Sequence, residues 1–407
     1  MAKRTLALLL ACLLVMAAVG CGKTQSDPET AETVTPAETP VTDEQTVTQE
    51  VEDTAAEAEQ SGVTGQADLY PQQELMLTTN GVETHWKELN YFINYHASNV
   101  EKYMTQNGLE TDWSAEFSEG RTFGDFVLEG AVDSCISFGA IDKGAKELGV
   151  SLTDEETAAF DEQWQQILDT YDSEEAAMEA LTAVGVDEEL YKELLYYATL
   201  SEKCFDSLYG KDASKLTDEE CAAYTENDGY LMAKHILLVT TRTGDDGSTV
   251  DMTEEEKAAV YARMEEFLSQ LQGLEGAELA EKFDELMLAN TEDPGVNSFP
   301  DGYLFQSGDM VPEFEQAAAA LAEGEVSDIV ATSYGYHILL RLPVNYDAIP
   351  SAYSQYVNYG YDPSELTLRY LTAQSMFSSV TDGWITNAEI VRTQTLDNLD
   401  ILKVLGG

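Results

Sequence analysis

Histidine is the residue type whose placement carries most chemical information in this chain. Only 4 histidines occur among the 407 residues. His235 lies within the apolar run 230–240 and His337 within the similar run 336–342, so both are predicted to lie on buried strands. A titratable side chain on a buried strand costs free energy unless it has a hydrogen-bonding partner. We therefore expect that each of these two histidines can serve as the partner of the other.

Five short motifs occur around these histidines in a fixed order along the chain. They read Ala233-Lys234-His235-Ile236-Leu237-Leu238, Asn290-Thr291-Glu292-Asp293-Pro294, Phe305-Gln306-Ser307-Gly308-Asp309-Met310-Val311-Pro312-Glu313-Phe314, Gly324-Glu325-Val326-Ser327 and Ser333-Tyr334-Gly335-Tyr336-His337-Ile338. In sequence and in order they resemble the motifs of parvulin-type (PpiC, or rotamase) peptidyl-prolyl isomerases. The resemblance implies a four-stranded antiparallel sheet flanked by helices, and an enzyme that interconverts the cis and trans forms of the bond before proline.

The resemblance also implies roles for individual residues. The implied catalytic residues are His235, Asp293, Thr332 and His337. The implied substrate-binding residues, which would form an apolar cup for the proline ring, are Phe305, Met310 and Phe314. Rotation about this bond has a barrier of about 18 to 20 kcal/mol, set by amide resonance, and it requires no nucleophile, metal or cofactor. We expect Asp293 to act through its electric field, and the histidine pair to fix a hydrogen-bond network.

The sequence departs from the family pattern just before Phe305. Parvulins usually carry a Gly-Gly-Asp-Leu-Gly-aromatic stretch there, whereas this chain reads Ser298-Phe299-Pro300-Asp301-Gly302-Tyr303-Leu304. The rim of the pocket is therefore expected to have a different shape. The loop 239–250 contains Arg242 as its only basic residue, which disfavours selection of a phosphorylated residue before proline.

The elements that must hold these residues are an α+β domain within a longer helical region. The run 75–79 is predicted to be a short strand ended by the turn signal Asn80-Gly81, and only helices are predicted from there to about residue 224. Capping boxes predict three helix starts, at Thr153, Thr217 and Thr253. Further helices are expected at about 279–288, 311–321 and 364–381. His85 and His96 are predicted to be solvated or capped residues on one of the earlier helices.

The regions on both sides of the predicted isomerase domain resemble PrsA-like foldase lipoproteins and, more loosely, SurA-type chaperones. The resemblance implies that the parvulin domain is inserted in a mostly α-helical chaperone-like domain. The expected organisation is a lipoprotein signal peptide at 1–20, a disordered acidic linker at 21–70, the first helical part at 71–227, the isomerase domain at 228–345 and a C-terminal segment at 346–407 that completes the helical domain.

The first residues predict export. Lys3 and Arg4 precede an apolar run, and small residues precede Cys21, as in the lipobox of bacterial lipoproteins. Cys21 is therefore the predicted lipidation site, and anchoring on the extracytoplasmic face of the cell membrane is the predicted location. An ordinary secretory signal is the alternative. Cys135, Cys204 and Cys221 are predicted to be buried structural thiols.

Composition limits the partners. The formal net charge of −55 disfavours nucleic acid and favours basic or unfolded clients. The expected partners are unfolded or partly folded exported proteins with Xaa-Pro bonds. A non-catalytic holdase of the same architecture and a solute-binding lipoprotein are the competing functions, and the oligomeric state is open, with a homodimer among the alternatives.

Overall fold

The structure is a computed structural model that describes residues 69–118, 120–243 and 248–406. The predicted signal peptide, the lipidation site Cys21 and nearly all of the predicted linker lie outside these residues. The chain divides into two compact units. The first unit contains the described residues up to 211 and from 374 onward, and the second contains residues 212–373.

The strands and helices are numbered in chain order. The strands are β1 (Leu75–Thr79), β2 (Val82–His85), β3 (Glu116–Ser118), β4 (Arg121–Thr122), β5 (Leu231–Val239), β6 (Thr241–Thr243), β7 (Thr249–Asp251), β8 (Tyr303–Phe305), β9 (Val330–Ala331), β10 (Gly335–Leu342) and β11 (Ile390–Arg392). The helices are α1 (Trp86–Gln106), α2 (Phe123–Leu148), α3 (Asp154–Leu168), α4 (Glu174–Ala183), α5 (Glu188–Tyr209), α6 (Asp218–Thr225), α7 (Glu254–Leu271), α8 (Gly276–Asn290), α9 (Pro312–Ala320), α10 (Ser354–Asn358), α11 (Leu368–Thr386), α12 (Gln394–Asp397) and α13 (Ile401–Val404).

The second unit is built on an antiparallel sheet. Among the described residues this sheet has four strands in the order β8-β5-β10-β9. Side chains alternate across it, as the two-residue repeat of a strand requires. Ile236, Leu238, Ile338 and Leu340 pack on one face with apolar residues of α7 and α8. Ala233 and Leu339 pack on the other face with α9. The α+β fold with a four-stranded antiparallel sheet is therefore confirmed.

The first unit is mostly helical and is formed by two separate stretches of the chain. Its small sheet has the order β11-β1-β2, so the last strand among the described residues, β11, pairs with the first, β1. Asn80 and Gly81 both have positive φ, 53° and 87°, as the predicted turn between β1 and β2 requires. Buried residues of α1, α2 and α5 form the main core together with residues from the C-terminal segment. The insertion of one unit within a helical one is thus confirmed.

Most predicted helix starts agree with the structure. Thr153, Thr217 and Thr253 are N-caps, and each makes a complete capping box with the glutamate three residues later. The predicted helices at 279–288, 311–321 and 364–381 correspond to α8, α9 and α11. The three cysteines Cys135, Cys204 and Cys221 are buried and free, as predicted.

Three local predictions are wrong. The region before residue 224 is not entirely helical, because β3 and β4 form a short hairpin before α2. His85 does not lie on a helix with His96, since it ends β2 and is the N-cap of α1. The stretch after β5, predicted as a loop, contains the paired strands β6 and β7. All of these strands have two to four residues, too few for side-chain alternation to reveal them.

No helix in the described part of the chain combines the length and the hydrophobicity that a membrane span requires.

Candidate functional site

The two strand histidines lie side by side on one face of the sheet. In the antiparallel register, His337 is opposite Leu237 and His235 is opposite Leu339. The two imidazoles therefore project from diagonally adjacent positions, on the face that α9 covers. Their Nδ1 atoms are 3.2 Å apart, a hydrogen-bond distance. Each histidine has the other as its partner, as the sequence indicated.

Asp293 lies beside His235, on the side away from His337. It follows α8 and caps a short 3-10 turn, where its Oδ1 atom accepts a hydrogen bond from the Gly295 amide at 3.0 Å. Its Oδ2 atom is 3.0 Å from Nε2 of His235 and accepts the Tyr303 hydroxyl at 2.7 Å. Burial alone would raise the pKa of this carboxyl, but the hydrogen bonds from His235, Tyr303 and Gly295 lower it to about 2. Asp293 is therefore ionised at neutral pH.

Thr332 completes the arrangement on the His337 side. It follows β9, and its hydroxyl oxygen lies 2.8 Å from Nε2 of His337. The same oxygen accepts the amide of Tyr334 at 3.1 Å. Because a hydroxyl has one proton and two lone pairs, it can accept from the backbone and still donate to the imidazole.

These contacts determine which ring nitrogens carry protons. The Asp293 carboxylate can only accept, so His235 donates through Nε2 and its Nδ1 atom is the acceptor when the ring is neutral. His337 must then donate through Nδ1, which leaves its Nε2 atom to accept the Thr332 hydroxyl. Each bond in the series Thr332, His337, His235, Asp293 thus has one donor and one acceptor. We call these four residues with Tyr303 the polar chain.

The electrostatics of His337 agree with this assignment. Burial disfavours the charged imidazole, and the neighbouring His235 disfavours it further, so that the pKa of His337 falls to about 3. A neutral ring has one donor and one acceptor, as the polar chain requires. His337 is accordingly a fixed hydrogen-bonding group at neutral pH.

The three predicted cup residues differ in exposure. Phe305 has no solvent-exposed surface and packs against Phe314, with ring centroids 5.6 Å apart. Phe314 is also buried, and its ring meets both imidazoles edge to face, with centroids 5.2 Å from His235 and 5.7 Å from His337. Met310 is partly buried at the edge of the same cluster. The structure therefore brings all seven predicted residues of the isomerase site into one region.

Sequence reasoning missed Tyr303. This residue lies within the stretch that departs from the family pattern, from which the sequence predicts only a different shape of the rim. Its hydroxyl is instead bonded to Asp293, and its ring meets His235 edge to face at 5.4 Å. The available signal was its position two residues before Phe305, since such residues lie on the same face of a strand.

Within the residues that the structure describes, no group of three or more His, Cys, Asp or Glu side chains is arranged to hold a metal ion.

Comparison with known families identifies this region. The family model described as "Rotamase: PPIC-type PPIASE domain" matches residues 235–342. Those bounds begin at His235 and end with β10, and they contain every member of the polar chain. Residues 235–342 are thus similar to rotamase domains of the PPIC type. The suspected parvulin resemblance is thereby confirmed for this domain.

Curated relatives extend the similarity beyond the rotamase domain. The chain is 30% identical over 233 residues to the foldase protein PrsA of Caldanaerobacter subterraneus, a match that covers 56% of this chain and 60% of the relative. It is 30% identical over 152 residues to PrsA of Bacillus subtilis, covering 37% of this chain and 41% of the relative. The chain spans about half the length of the curated relatives it matches. The resemblance to PrsA-like foldases is confirmed at this level.

One solved structure aligns with the chain at lower sequence identity. The crystal structure of the peptidylprolyl isomerase PrsA from Bacillus cereus aligns with 73% of this chain and 99% of its own, with 21% identity and a TM-score of 0.29.

Proposed function

We propose that this protein is a peptidyl-prolyl cis-trans isomerase and foldase that assists the folding of exported proteins. The observation that carries the proposal is the polar chain, a complete and partly buried hydrogen-bond series inside a PPIC-type rotamase domain. The names of the curated relatives support the foldase role, because they are foldase proteins.

The proposed mechanism uses binding and electrostatics alone. Twisting the bond before proline removes amide conjugation and changes the charge on its oxygen and nitrogen, so an enzyme accelerates the reaction by favouring the twisted form. Asp293 supplies a fixed negative charge. His235, His337 and Thr332 hold that charge and their own dipoles in one orientation, so no reorganisation is required during the reaction.

The apolar part of the proposed site holds the proline ring. Of the three residues of the apolar cup, Met310 has accessible surface. We therefore assign to Met310 the direct contact with the proline ring. Phe305 and Phe314 are buried and form the apolar wall beneath the histidines. Truncation of either phenylalanine would therefore also disturb the packing that orients the polar chain.

The proposed location and partners follow from the sequence and the relatives. We propose lipidation at Cys21, residence on the extracytoplasmic face of the membrane, and unfolded exported proteins with Xaa-Pro bonds as clients. The proposed domain arrangement is the predicted one, with residues 228–345 as the isomerase domain between two parts of a helical chaperone-like domain. The acidic composition favours basic clients.

A peptide assay tests the proposal. The full chain should accelerate cis-to-trans conversion of an Xaa-Pro peptide, and His235→Ala and Asp293→Ala should each lower kcat/KM by about 10² or more, the range expected for a positioned polar group. His85→Asn is the matched control, since His85 lies in the first unit at the start of α1. A wild-type rate equal to the uncatalysed rate would exclude the isomerase. If the chain then still suppressed client aggregation, it would be a holdase.

A further inference from the structure

Tyr303 is the member of the polar chain that the family resemblance did not provide. It begins β8, where it pairs with Ala233 of β5, two residues from His235. Phe299 packs on its ring with centroids 4.4 Å apart and planes inclined by 32°. The ring is thus held between Phe299 and His235, and the hydroxyl points at Asp293. A side chain fixed in this way offers its donor with little further loss of conformational freedom.

Gly295 leaves the space that the Tyr303 hydroxyl occupies. A Cβ atom added at position 295 would lie 1.9 Å from the hydroxyl oxygen and 3.1 Å from the ring carbon that bears it. The φ angle of Gly295 is not positive, so the backbone conformation itself does not require glycine. The requirement is for space, and it depends on the hydroxyl at position 303. Gly295 also donates its amide to the Asp293 carboxylate.

The Tyr303 hydroxyl shares one carboxylate oxygen with His235. Both donate to Oδ2 of Asp293, while Gly295 donates to Oδ1. Two donors on the same oxygen restrict rotation of the carboxylate about its last side-chain torsion, which is otherwise broad. Without the phenol, His235 alone would hold that oxygen in place. The tautomers of the polar chain depend on this end, because the Asp293 to His235 bond sets the proton on Nε2.

We propose that Tyr303 is a positioning residue of the isomerase site, and that Gly295 is its partner. The Tyr303 hydroxyl holds Asp293 in the orientation that accepts His235 Nε2–H, and Gly295 provides the room for that hydroxyl. This inference rests on the proposed isomerase function. It assigns a role to the stretch in which the chain departs from its family.

The first experiment removes the hydroxyl alone. In Tyr303→Phe, the 13C-detected titration of the Asp293 carboxyl should move to higher pH, because one of its hydrogen-bond donors is lost. The value of kcat/KM for a proline peptide should fall about tenfold, which corresponds to about 1.4 kcal/mol, through kcat with little change in KM. Tyr261→Phe is the matched control, since Tyr261 lies on α7 and its ring contacts Tyr336. An unchanged Asp293 titration, or an unchanged kcat, overturns the proposal.

The second experiment is a double-mutant cycle. Gly295→Ala should lower kcat/KM about as much as Tyr303→Phe, because the new methyl group displaces the hydroxyl. In the Tyr303→Phe background the same alanine should have much less effect, since the nearest remaining contact is at 3.1 Å. Gly383→Ala is the glycine control, with no atom within 4 Å of its added Cβ. If Gly295→Ala lowered kcat/KM equally in both backgrounds, the glycine would be required for the backbone conformation and not for the space of the Tyr303 hydroxyl.

Failure of this inference can be told from failure of the proposed function. If wild type does not accelerate isomerisation, the isomerase proposal fails, and the kcat/KM comparisons of both experiments can no longer be made. The Asp293 titration and the cycle, measured on the free energy of unfolding, then decide whether Tyr303 holds the carboxylate. If wild type is active and Tyr303→Phe leaves both readouts unchanged, only the present inference fails.

Discussion

At the scale of the residue, the site depends on a single direction of proton donation. Thr332 donates to His337, His337 to His235, and His235 to Asp293. The ionised carboxylate fixes this order, because it holds the proton of a neutral His235 on Nε2 and leaves Nδ1 to accept from His337. A residue in this series therefore acts through its neighbours as well as by itself.

We predict that 15N NMR at neutral pH will find the proton of His337 on Nδ1 and that of His235 on Nε2. His337 should remain neutral on acidification until the pH approaches about 3, the value to which burial and His235 lower its pKa. Thr332→Val should remove the donor to His337 Nε2 and change its 15N shift without adding charge. A proton on Nε2 of His337 in the wild type would contradict the assigned direction.

A second residue-scale prediction concerns Glu193, a partly buried carboxyl in the helical unit. Burial and the adjacent carboxylate Glu88 raise the pKa of Glu193 to about 7, although Lys87 acts against them. Because this folded-state pKa lies above the ordinary 4.5, Glu193 contributes stability below about pH 4.5 that is lost as the pH rises through 7. Glu193→Gln should therefore stabilise the unit at pH 8 by about 1 to 3 kcal/mol and change little at pH 5.

Tryptophan fluorescence can measure this change selectively. All 4 tryptophans of the chain, Trp86, Trp113, Trp164 and Trp384, belong to the first unit. Urea unfolding of wild type and Glu193→Gln at the two pH values would report that unit alone. An equal effect of the substitution at pH 5 and pH 8 would refute the prediction, because it would show that titration of Glu193 is not the cause.

At the scale of the element, the long strands could be predicted and the short ones could not. The runs around His235 and His337 have nine and eight residues, enough to give a strong apolar signal. β8 has three residues and β9 two, and they exist because β5 and β10 offer them hydrogen-bonding edges. That support is tertiary, so sequence patterns did not reveal it. Tyr303 was missed for the same reason, since its role depends on the pairing of β8.

The site residues were predictable to the extent that motifs specify them. His235, Asp293, Thr332 and His337 were each proposed from the resemblance, and the structure places them in one hydrogen-bonded series. The space at Gly295 and the burial of Phe305 are properties of packing. Neither follows from the order of residues along the chain.

An element-scale prediction concerns the end of the second unit. Arg369, at the start of α11, donates to the Leu216 carbonyl at 2.7 Å, to Asp218 at 2.6 Å and to Asp347 at 2.6 Å. It thus joins segments that precede and follow the rotamase domain. Lysine has one compact charged group and cannot donate to these three acceptors, which lie in different directions around the guanidinium. Because both aspartates are largely exposed, screening reduces the cost of Arg369→Lys to about 1 kcal/mol.

Hydrogen exchange can test this contribution, whereas tryptophan fluorescence cannot, because all the tryptophans belong to the first unit and Arg369 to the second. The amides of β5 and β10 should exchange faster in Arg369→Lys, by roughly fivefold for a loss of about 1 kcal/mol. Arg263→Lys, an exposed substitution on α7, is the matched control. Equal exchange in the two variants would mean that Arg369 does not stabilise the sheet.

At the scale of the whole molecule, charge is the dominant property. The sequence has 76 acidic residues against 21 basic ones. Several basic side chains of the second unit are already occupied: Lys234 pairs with Asp284 at 2.8 Å, Arg341 donates to the Met232 carbonyl, and Arg369 is engaged as described. A peptide approaching the rotamase domain therefore meets a strongly negative field, which attracts cationic chains and repels anionic ones.

We predict that this field governs which Xaa-Pro peptides react fastest. At about 20 mM salt, a peptide with lysine before proline should have a kcat/KM about tenfold higher than its glutamate counterpart, and a phosphoserine counterpart should react more slowly still. The difference should lie mainly in KM, because the field acts on encounter and binding. Raising NaCl to about 0.5 M should reduce the ratio several-fold, since screening then shortens the range of the field to a few ångströms. If the ratio of kcat/KM for the lysine and glutamate peptides did not change with salt, the preference would arise from a direct contact at the site. A preference for the phosphoserine peptide would contradict the electrostatic explanation.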